Sequence, residues 1–435
     1  MIDRTCVIGA GSSGLAAIKN LREYGFDVDC FEAADDLGGN WNFGKPTSRV
    51  YRSTHMISSK PFTQYPDFPM PDAYPDYPHH RQLLEYFRAY ARHFGLYEHI
   101  RFRTRVLRVE PYDGAWDVTV AGPDGEETRR YAAVVIANGH NWHPKYPEYP
   151  GEFTGEILHS AQYKGPEVLA GKRVVVVGAG NTGCDIAVES AQVAAETYHS
   201  TRRGYWYVQK YNFGRPGDQV MDLMLALRLP LRLRRALYKA TARLTVGDVT
   251  RFGLPKPDHE PFETHPIINT LLPYYVGQGD IVPKPDIARF AGEKVVFADG
   301  SQVTADLVLY ATGYLARFEF LDEKHLNWTD GRPRLYQHVF TPHHDNLFVA
   351  GLIQPDSGQF TLVHWQTVAI AEFLTARRER PELAGRFLAY ARQHVTDVFS
   401  GGTRYKDSTR HYYEVAHQDY LRGLERTINR LRGAR

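Results

Sequence analysis

Two glycine-rich stretches carry the residue types best suited to chemistry, Gly9-Ala10-Gly11-Ser12-Ser13-Gly14 and Gly178-Ala179-Gly180-Asn181-Thr182-Gly183. Glycines at these places let a backbone turn sharply after a strand and approach a pyrophosphate. The helix that follows offers free N–H groups and a partial positive charge to that anion. One such loop is weak evidence; two, each between a strand-like and a helical run, are strong. The residues that close the next strand differ between them. Glu32 can accept hydrogen bonds from ribose hydroxyls and repels a 2′-phosphate, so the first loop suits FAD or NAD. The second has Ser200, Thr201, Arg202 and Arg203 at that place, hydroxyls and guanidiniums that can grip a phosphate, which suits NADPH. A flavin and a reduced nicotinamide on one chain imply hydride transfer to the flavin.

The elements that must position these loops are readable. "RTCVI", the first loop, "LAAIKNLREYG" and "FDVDCFE" make a βαβ unit with its acid about 20 residues beyond the loop. "KRVVVVGAGNTGCDIAVESAQ" and "AETYHSTRRG" repeat it. Between the two lie a Tyr/Pro-rich stretch, a helix at "RQLLEYFRAYARHFGL" and β segments at "RFRTRVLRVE", "AWDVTVAG" and "YAAVVIANGH". Late in the chain "ADLVLYATGY" and "DNLFVAGL" read as strands, followed by the helix "HWQTVAIAEFLTARRE". The expected fold is α/β with two Rossmann-like dinucleotide-binding domains. A discontinuous FAD domain spans 1–160 and 306–435; an NADPH domain, 161–305, is inserted into it with a helical insertion around 215–280.

Bulk composition excludes several classes. Lys+Arg number 52 against 50 Asp+Glu, so no basic field invites nucleic acid. Cys6, Cys30 and Cys184 are scattered with no C-x-x-C, which argues against a disulfide framework or a disulfide reductase and fits buried thiols in a reducing cytoplasm. No secretory leader or membrane-length apolar run is evident, and contact with a membrane is not expected. Nothing opposes a homodimer.

Phe153, Gly155, His159 and Tyr163 form F-x-G-x-x-x-H-x-x-x-Y between the two loops. That segment, with "LGGNW", "DFPMP", "STRRG", "ATGY" and "DNLFVAGL" in order, resembles the flavin-containing monooxygenases over nearly the whole chain. The related Baeyer–Villiger enzymes usually end the fingerprint in Trp. The resemblance implies that His159 and Tyr163 lie where the FAD and NADPH domains cross, with His159 a positioning hydrogen-bond donor rather than a general base. It places Gly39, Asn40 and Trp41 beside the flavin, Ala311, Thr312 and Gly313 near the cofactor on the return crossing, and Thr182 and Asp185 on the helix beneath the NADPH pyrophosphate.

The resemblance further implies that NADPH reduces FAD and that O₂ adds at flavin C4a to give a hydroperoxide. An amine nitrogen or a sulfide sulfur then takes the distal oxygen. Many members carry an asparagine in the segment after G-G-x-W that steadies the oxygenated flavin; Ile57 stands there and cannot hydrogen-bond. Ser58, His55 or bound NADP⁺ would have to supply that polarity. Failing that, the chain is an uncoupled NADPH oxidase releasing H₂O₂. Baeyer–Villiger oxidation of a ketone is the other alternative, and a non-enzymatic redox sensor finds no interaction module to support it. The basic, apolar helical stretch 221–245, broken at Pro230, is expected to serve as a lid or contact, and the aromatic run from Phe62 to Tyr77 as a coat over the FAD domain. Substrate specificity falls to loops near Ile57, to 205–280 and to "IQPDSGQF" (353–360), none with a recognisable chemical logic.

Overall fold

The computed structural model describes residues 4–406 and 411–433. Five parallel strands form a first sheet in the order Leu347–Val349, Ala133–Ile136, Arg4–Ile8, Asp27–Phe31, Ile100–Arg101. Their nearly continuous apolar runs are what a sheet covered on both faces requires. Side chains alternate between those faces. Val7, Val28 and Val135 pack on helices Ser12–Glu23, His80–His93 and Phe360–Glu379. Cys6, Ile8, Val134 and Ile136 pack instead on an antiparallel meander, Arg105–Tyr112, Ala115–Gly122 and Gly125–Tyr131. Trp116 of that meander is fully buried, and its indole N–H donates to Asn346 Oδ1 at 2.9 Å beside the first sheet.

A second parallel sheet repeats the plan, in the order Val282–Lys284, Glu196–Ser200, Arg173–Val177, Leu307–Tyr310, Glu156–His159. Val174, Val176, Leu307 and Leu309 face helix Asn181–Val193; Val175, Val177, Val308 and Tyr310 face the strands Ile287–Ala291 and Lys294–Phe297. The expected boundaries at 160 and 306 cut through this sheet, because Glu156–His159 and Leu307–Tyr310 pair within it rather than with the first. The chain therefore crosses between sheets twice, at 137–155 and 311–346, and the crossings touch: Tyr314 pairs with Pro144 and Leu315 with His143, antiparallel.

The insertion contains helices Gly217–Ala226 and Leu231–Thr245, broken at Pro230 as expected. The second helix is turned inside out. Arg235 and Lys239 hold it to the body through Glu263 (2.8 Å) and Glu260 (2.6 Å), while Leu233, Leu237 and Leu244 are 45%, 38% and 86% exposed. Phe62–Tyr77 does coat the first domain: Tyr65 is fully buried among Tyr86, Tyr90 and Phe360. All three cysteines are buried, and burial holds the Cys6 and Cys30 thiols well above their ordinary pKa, so they are inert. Among the described residues no helix is long and apolar enough to cross a membrane.

Candidate active site

Both loops leave the carboxyl ends of parallel strands, where open α/β sheets bind ligands. At the first, Gly9 has φ +98°, and a side chain at Gly14 would sit 1.8 Å from the Gly9 carbonyl oxygen. Only glycine lets helix Ser12–Glu23 start this close to the turn. Gly11 caps that helix with no side-chain bond, so its first N–H groups face the loop. Ser12 accepts from the Tyr65 hydroxyl through its carbonyl (2.6 Å), and Ser13 Oγ lies under Gly351. Glu32 is buried; its two carboxylate oxygens accept from the Ala10 and Ala34 N–H groups, each at 2.8 Å. Burial raises its pKa, and those backbone bonds oppose the shift. Gly39 lies against Gly11, so the G-G-N-W turn borders the loop. Asn40 Oδ1 is engaged there, accepting from Arg49 N–H (2.7 Å), and Trp41 packs half-buried on the core.

The second loop has the same geometry around Gly178 and Gly183. Gly180 is the helix N-cap without a side-chain bond. Ser200 and Thr201 are buried, Ser200 donating to the Pro285 carbonyl at 2.7 Å. Arg202 is exposed and Arg203 half-exposed, and neither forms an ion pair or side-chain hydrogen bond among the described residues. Arg202 is a cation at the strand end without a partner anion among the described residues, whereas Arg203 bears electrostatically on Asp258. Asn181 is spent locally: Nδ2 donates to Pro266 O (3.0 Å) and Oδ1 accepts from Ile268 N–H (2.8 Å). Asp185 accepts from Tyr51 OH (2.8 Å) and Asn269 Nδ2 (2.7 Å), a brace for the helix rather than a surface facing the loop. Thr182 makes no side-chain hydrogen bond among the described residues.

Strand register brings the fingerprint histidine to this edge, since His159 pairs with Tyr310 one residue before Ala311-Thr312-Gly313. Ala311 N–H donates to Val177 O (2.8 Å), and Thr312 donates to Lys145 O (2.5 Å), which ties the two crossings together. His159 is fully buried between Tyr146 and Tyr314. Its Nδ1 accepts from Ala161 N–H (3.1 Å), which places the ring proton on Nε2; Nε2 faces the Gly313 carbonyl but makes no hydrogen bond of good geometry among the described residues. Burial, with the Arg49 charge adding to it and the Gly313 carbonyl opposing, brings its pKa down to about 4. Trp142 Nε1 and Thr47 Oγ1 are likewise enclosed and unpartnered. A bound group at this edge would supply the partners that these buried polar atoms lack.

Acidification tests this burial. His159 and His199 are fully buried, each with a pKa of about 4 against an ordinary 6.5. Below pH 6.5 the unfolded chain takes up protons that the folded histidines refuse until about pH 4, so folding stability falls across that window. The expected loss is roughly 2 kcal/mol per histidine by pH 5, read as a drop in the urea midpoint of the apoprotein. A midpoint that is flat from pH 7 to 5 would contradict it.

Tyr163 and Ser58, expected at the chemistry, are both occupied elsewhere. The Tyr163 hydroxyl is fully buried and donates to Glu189, beneath Tyr51. Ser58 Oγ pairs with Thr63 Oγ1 at 2.8 Å. Arg49 was not singled out by sequence reasoning. It bonds the carbonyls of Trp142 (3.0 Å) and Pro46 (2.6 Å) and bears electrostatically on His159, yet its position follows no motif spacing. A surface hollow of about 520 Å³ lined by Asn327, Pro342, His343, Arg392 and Val395 shares no residue with either loop.

Two uncapped helix starts, a buried acid closing the first βαβ unit, an exposed arginine closing the second and an enclosed histidine fit FAD and NADPH, the arrangement of a two-nucleotide flavoprotein oxidoreductase. A family model of flavin-binding monooxygenase-like proteins matches residues 2–401. Flavin-containing monooxygenase 5 of Oryctolagus cuniculus is 36% identical over 376 residues, 81% of this chain and 69% of the relative. Dimethylaniline monooxygenase [N-oxide-forming] 2 of Rattus norvegicus is 34% identical over 386 residues, 84% and 72% of the respective chains. The solved S-allyl-L-cysteine S-oxygenase of Allium sativum shares the fold at TM-score 0.68 and 22% identity, over 98% of this chain and 88% of that one. The chain belongs to the flavin-binding monooxygenase-like family and is an FAD-containing, NADPH-dependent monooxygenase.

Proposed function

We propose that this enzyme oxygenates a soft nucleophile, an amine nitrogen or a sulfide sulfur, with electrons from NADPH and oxygen from O₂. The observation that carries the reading is the pair of glycine loops at the carboxyl ends of two parallel sheets, with the neutral, enclosed His159 in the chain between them. When bound, the flavin accepts hydride and activates O₂ for transfer. The chain's own residues do the rest. Helix starts at Gly11 and Gly180 hold the pyrophosphates, Glu32 takes the ribose, and Arg202 with Arg203 takes the 2′-phosphate. His159 would offer its Nε2–H to the bound nicotinamide coenzyme and, with a pKa of about 4, keeps its proton arrangement unchanged at neutral pH. No side-chain nucleophile is required, which agrees with Ser58 being paired to Thr63.

Tyr163 acts as a brace in this reading. Tyr163→Phe is expected to cost about 1–2 kcal/mol of stability by removing a donor from Glu189, with kcat little changed. A kcat loss above tenfold without loss of stability would return Tyr163 to the chemistry. The reaction itself is tested by counting N-oxide or S-oxide, ester and H₂O₂ per NADPH over a panel of amines, sulfides and ketones. Oxide formed nearly one-to-one with NADPH is expected. Peroxide equal to NADPH with every substrate would make the chain an oxidase, and ester from ketones alone a Baeyer–Villiger enzyme.

A further inference from the structure

Two cations from different domains reach one carbonyl oxygen. Lys164 follows Tyr163 in the chain that leaves the second sheet, and its Nζ donates to Ser48 O at 2.9 Å and to Val50 O at 3.4 Å. Arg49 belongs to the first domain, in the segment after the G-G-N-W turn. Its Nη1 donates to the same Ser48 O (3.1 Å) and to Pro46 O (2.6 Å), and its Nε to Trp142 O (3.0 Å). Both side chains are half-buried, and neither forms an ion pair among the described residues. Arg49 Nη2 and one ammonium hydrogen of Lys164 are left over from these bonds. Carbonyl oxygens carry only partial charge, so two like charges brought together out of water stay uncompensated. Burial and the Arg49 charge accordingly lower the Lys164 pKa.

The contacts around the pair place it at the edge that the two domains share. Arg52 N–H donates to Lys164 O (3.0 Å), and the rings of Tyr51 and Tyr163 lie 5.6 Å apart, so 48–52 runs beside the end of the fingerprint. Tyr51 OH reaches Asp185 (2.8 Å), about one turn into helix Asn181–Val193, whose uncapped start borders the second glycine loop. On the other side, Trp142, held by Arg49 through its carbonyl, leads into the pairs His143–Leu315 and Pro144–Tyr314. Tyr314 packs on His159 with ring centroids 5.4 Å apart. Trp142 Nε1 and Thr47 Oγ1, enclosed and unpartnered, belong to the same two stretches of chain. This stretch of the edge is rich in donors, and its two cations lack an acid, which suits an anion of more than one charge.

We propose that Arg49 and Lys164 are positioning residues that hold the diphosphate of the nicotinamide coenzyme, adding two charges to the helix start at Gly180. This rests on the two-nucleotide reading above and goes beyond it, because Arg49 comes from the flavin domain. Bound coenzyme then ties the domains together, and without it two like charges face each other across the edge. The flavin's own diphosphate is the competing anion, since Asn40, which accepts from Arg49 N–H (2.7 Å), follows Gly39 on the first loop. Lys164, in the chain leaving strand Glu156–His159 of the second sheet, favours the nicotinamide coenzyme.

The test is calorimetric titration of the FAD-loaded enzyme with NADP⁺ and with adenosine 2′-monophosphate, which has the 2′-phosphate and no diphosphate. Arg49→Gln and Lys164→Gln should each weaken NADP⁺ by about 30-fold and leave adenosine 2′-monophosphate within about twofold of the wild type. Arg49→Lys keeps the charge and should bring NADP⁺ back to within about fivefold. FAD content at the wild-type level reports that each variant is folded. NADP⁺ affinity unchanged in either Gln variant, or both ligands weakened alike, would overturn the proposal. FAD lost from the Gln variants while Arg49→Lys retains it would assign the pair to the flavin's diphosphate and overturn it too. A wild type that binds neither ligand would overturn the coenzyme site on which the proposal rests.

Discussion

Gly183→Ala is expected to leave the protein yellow but unable to use NADPH. The added methyl would stand 2.0 Å from the Gly178 carbonyl oxygen and 3.3 Å from Ala311 Cβ. Neither is the far end of a flexible side chain. The start of helix Asn181–Val193 must therefore move off the loop, and the N–H groups that would meet the pyrophosphate lose their convergence. Overpacking of this kind costs about 1–3 kcal/mol of stability, which a chain with a second intact sheet and its flavin loop can bear. Anaerobic titration should show NADPH affinity at least about 100-fold weaker, with FAD retained. Affinity within threefold of the wild type would mean the second loop does not hold the nicotinamide coenzyme.

Arg202→Ala should separate the two coenzymes. Arg202 is exposed just beyond strand Glu196–Ser200 and has no acidic partner among the described residues to lose, so its removal should not disturb the fold. A charge-assisted bond to a 2′-phosphate contributes about 2–3 kcal/mol, so kcat/KM for NADPH should fall roughly 30- to 160-fold. NADH has no such phosphate and should be used as before. Equal losses for both would move Arg202 out of the phosphate site and leave Arg203 to be tested there.

What was legible in the sequence had local causes. Strands Arg4–Ile8 and Ala115–Gly122 match their apolar and alternating runs, and both glycine loops sit where strand and helix patterns meet. Glu32 follows from its spacing. The domain edges were less legible because Glu156–His159 is a short strand with Glu156 and Ile157 exposed, and only its pairing with Leu307–Tyr310 assigns it to the second sheet. Side-chain commitments were hidden for the same reason. Asn181 is consumed by residues 266 and 268, and Tyr163 by Glu189 across the domain core, contacts that no motif spacing records.

The claim on which the rest stands is that the two nucleotide clefts share one edge, so that hydride passes directly between the bound coenzymes. It is tested by mixing the FAD-loaded enzyme with one equivalent of NADPH without oxygen and following the flavin band near 450 nm. Complete bleaching at a saturable rate, with no added electron carrier, is the expected result. A flavin that dithionite bleaches but NADPH leaves oxidised would contradict it.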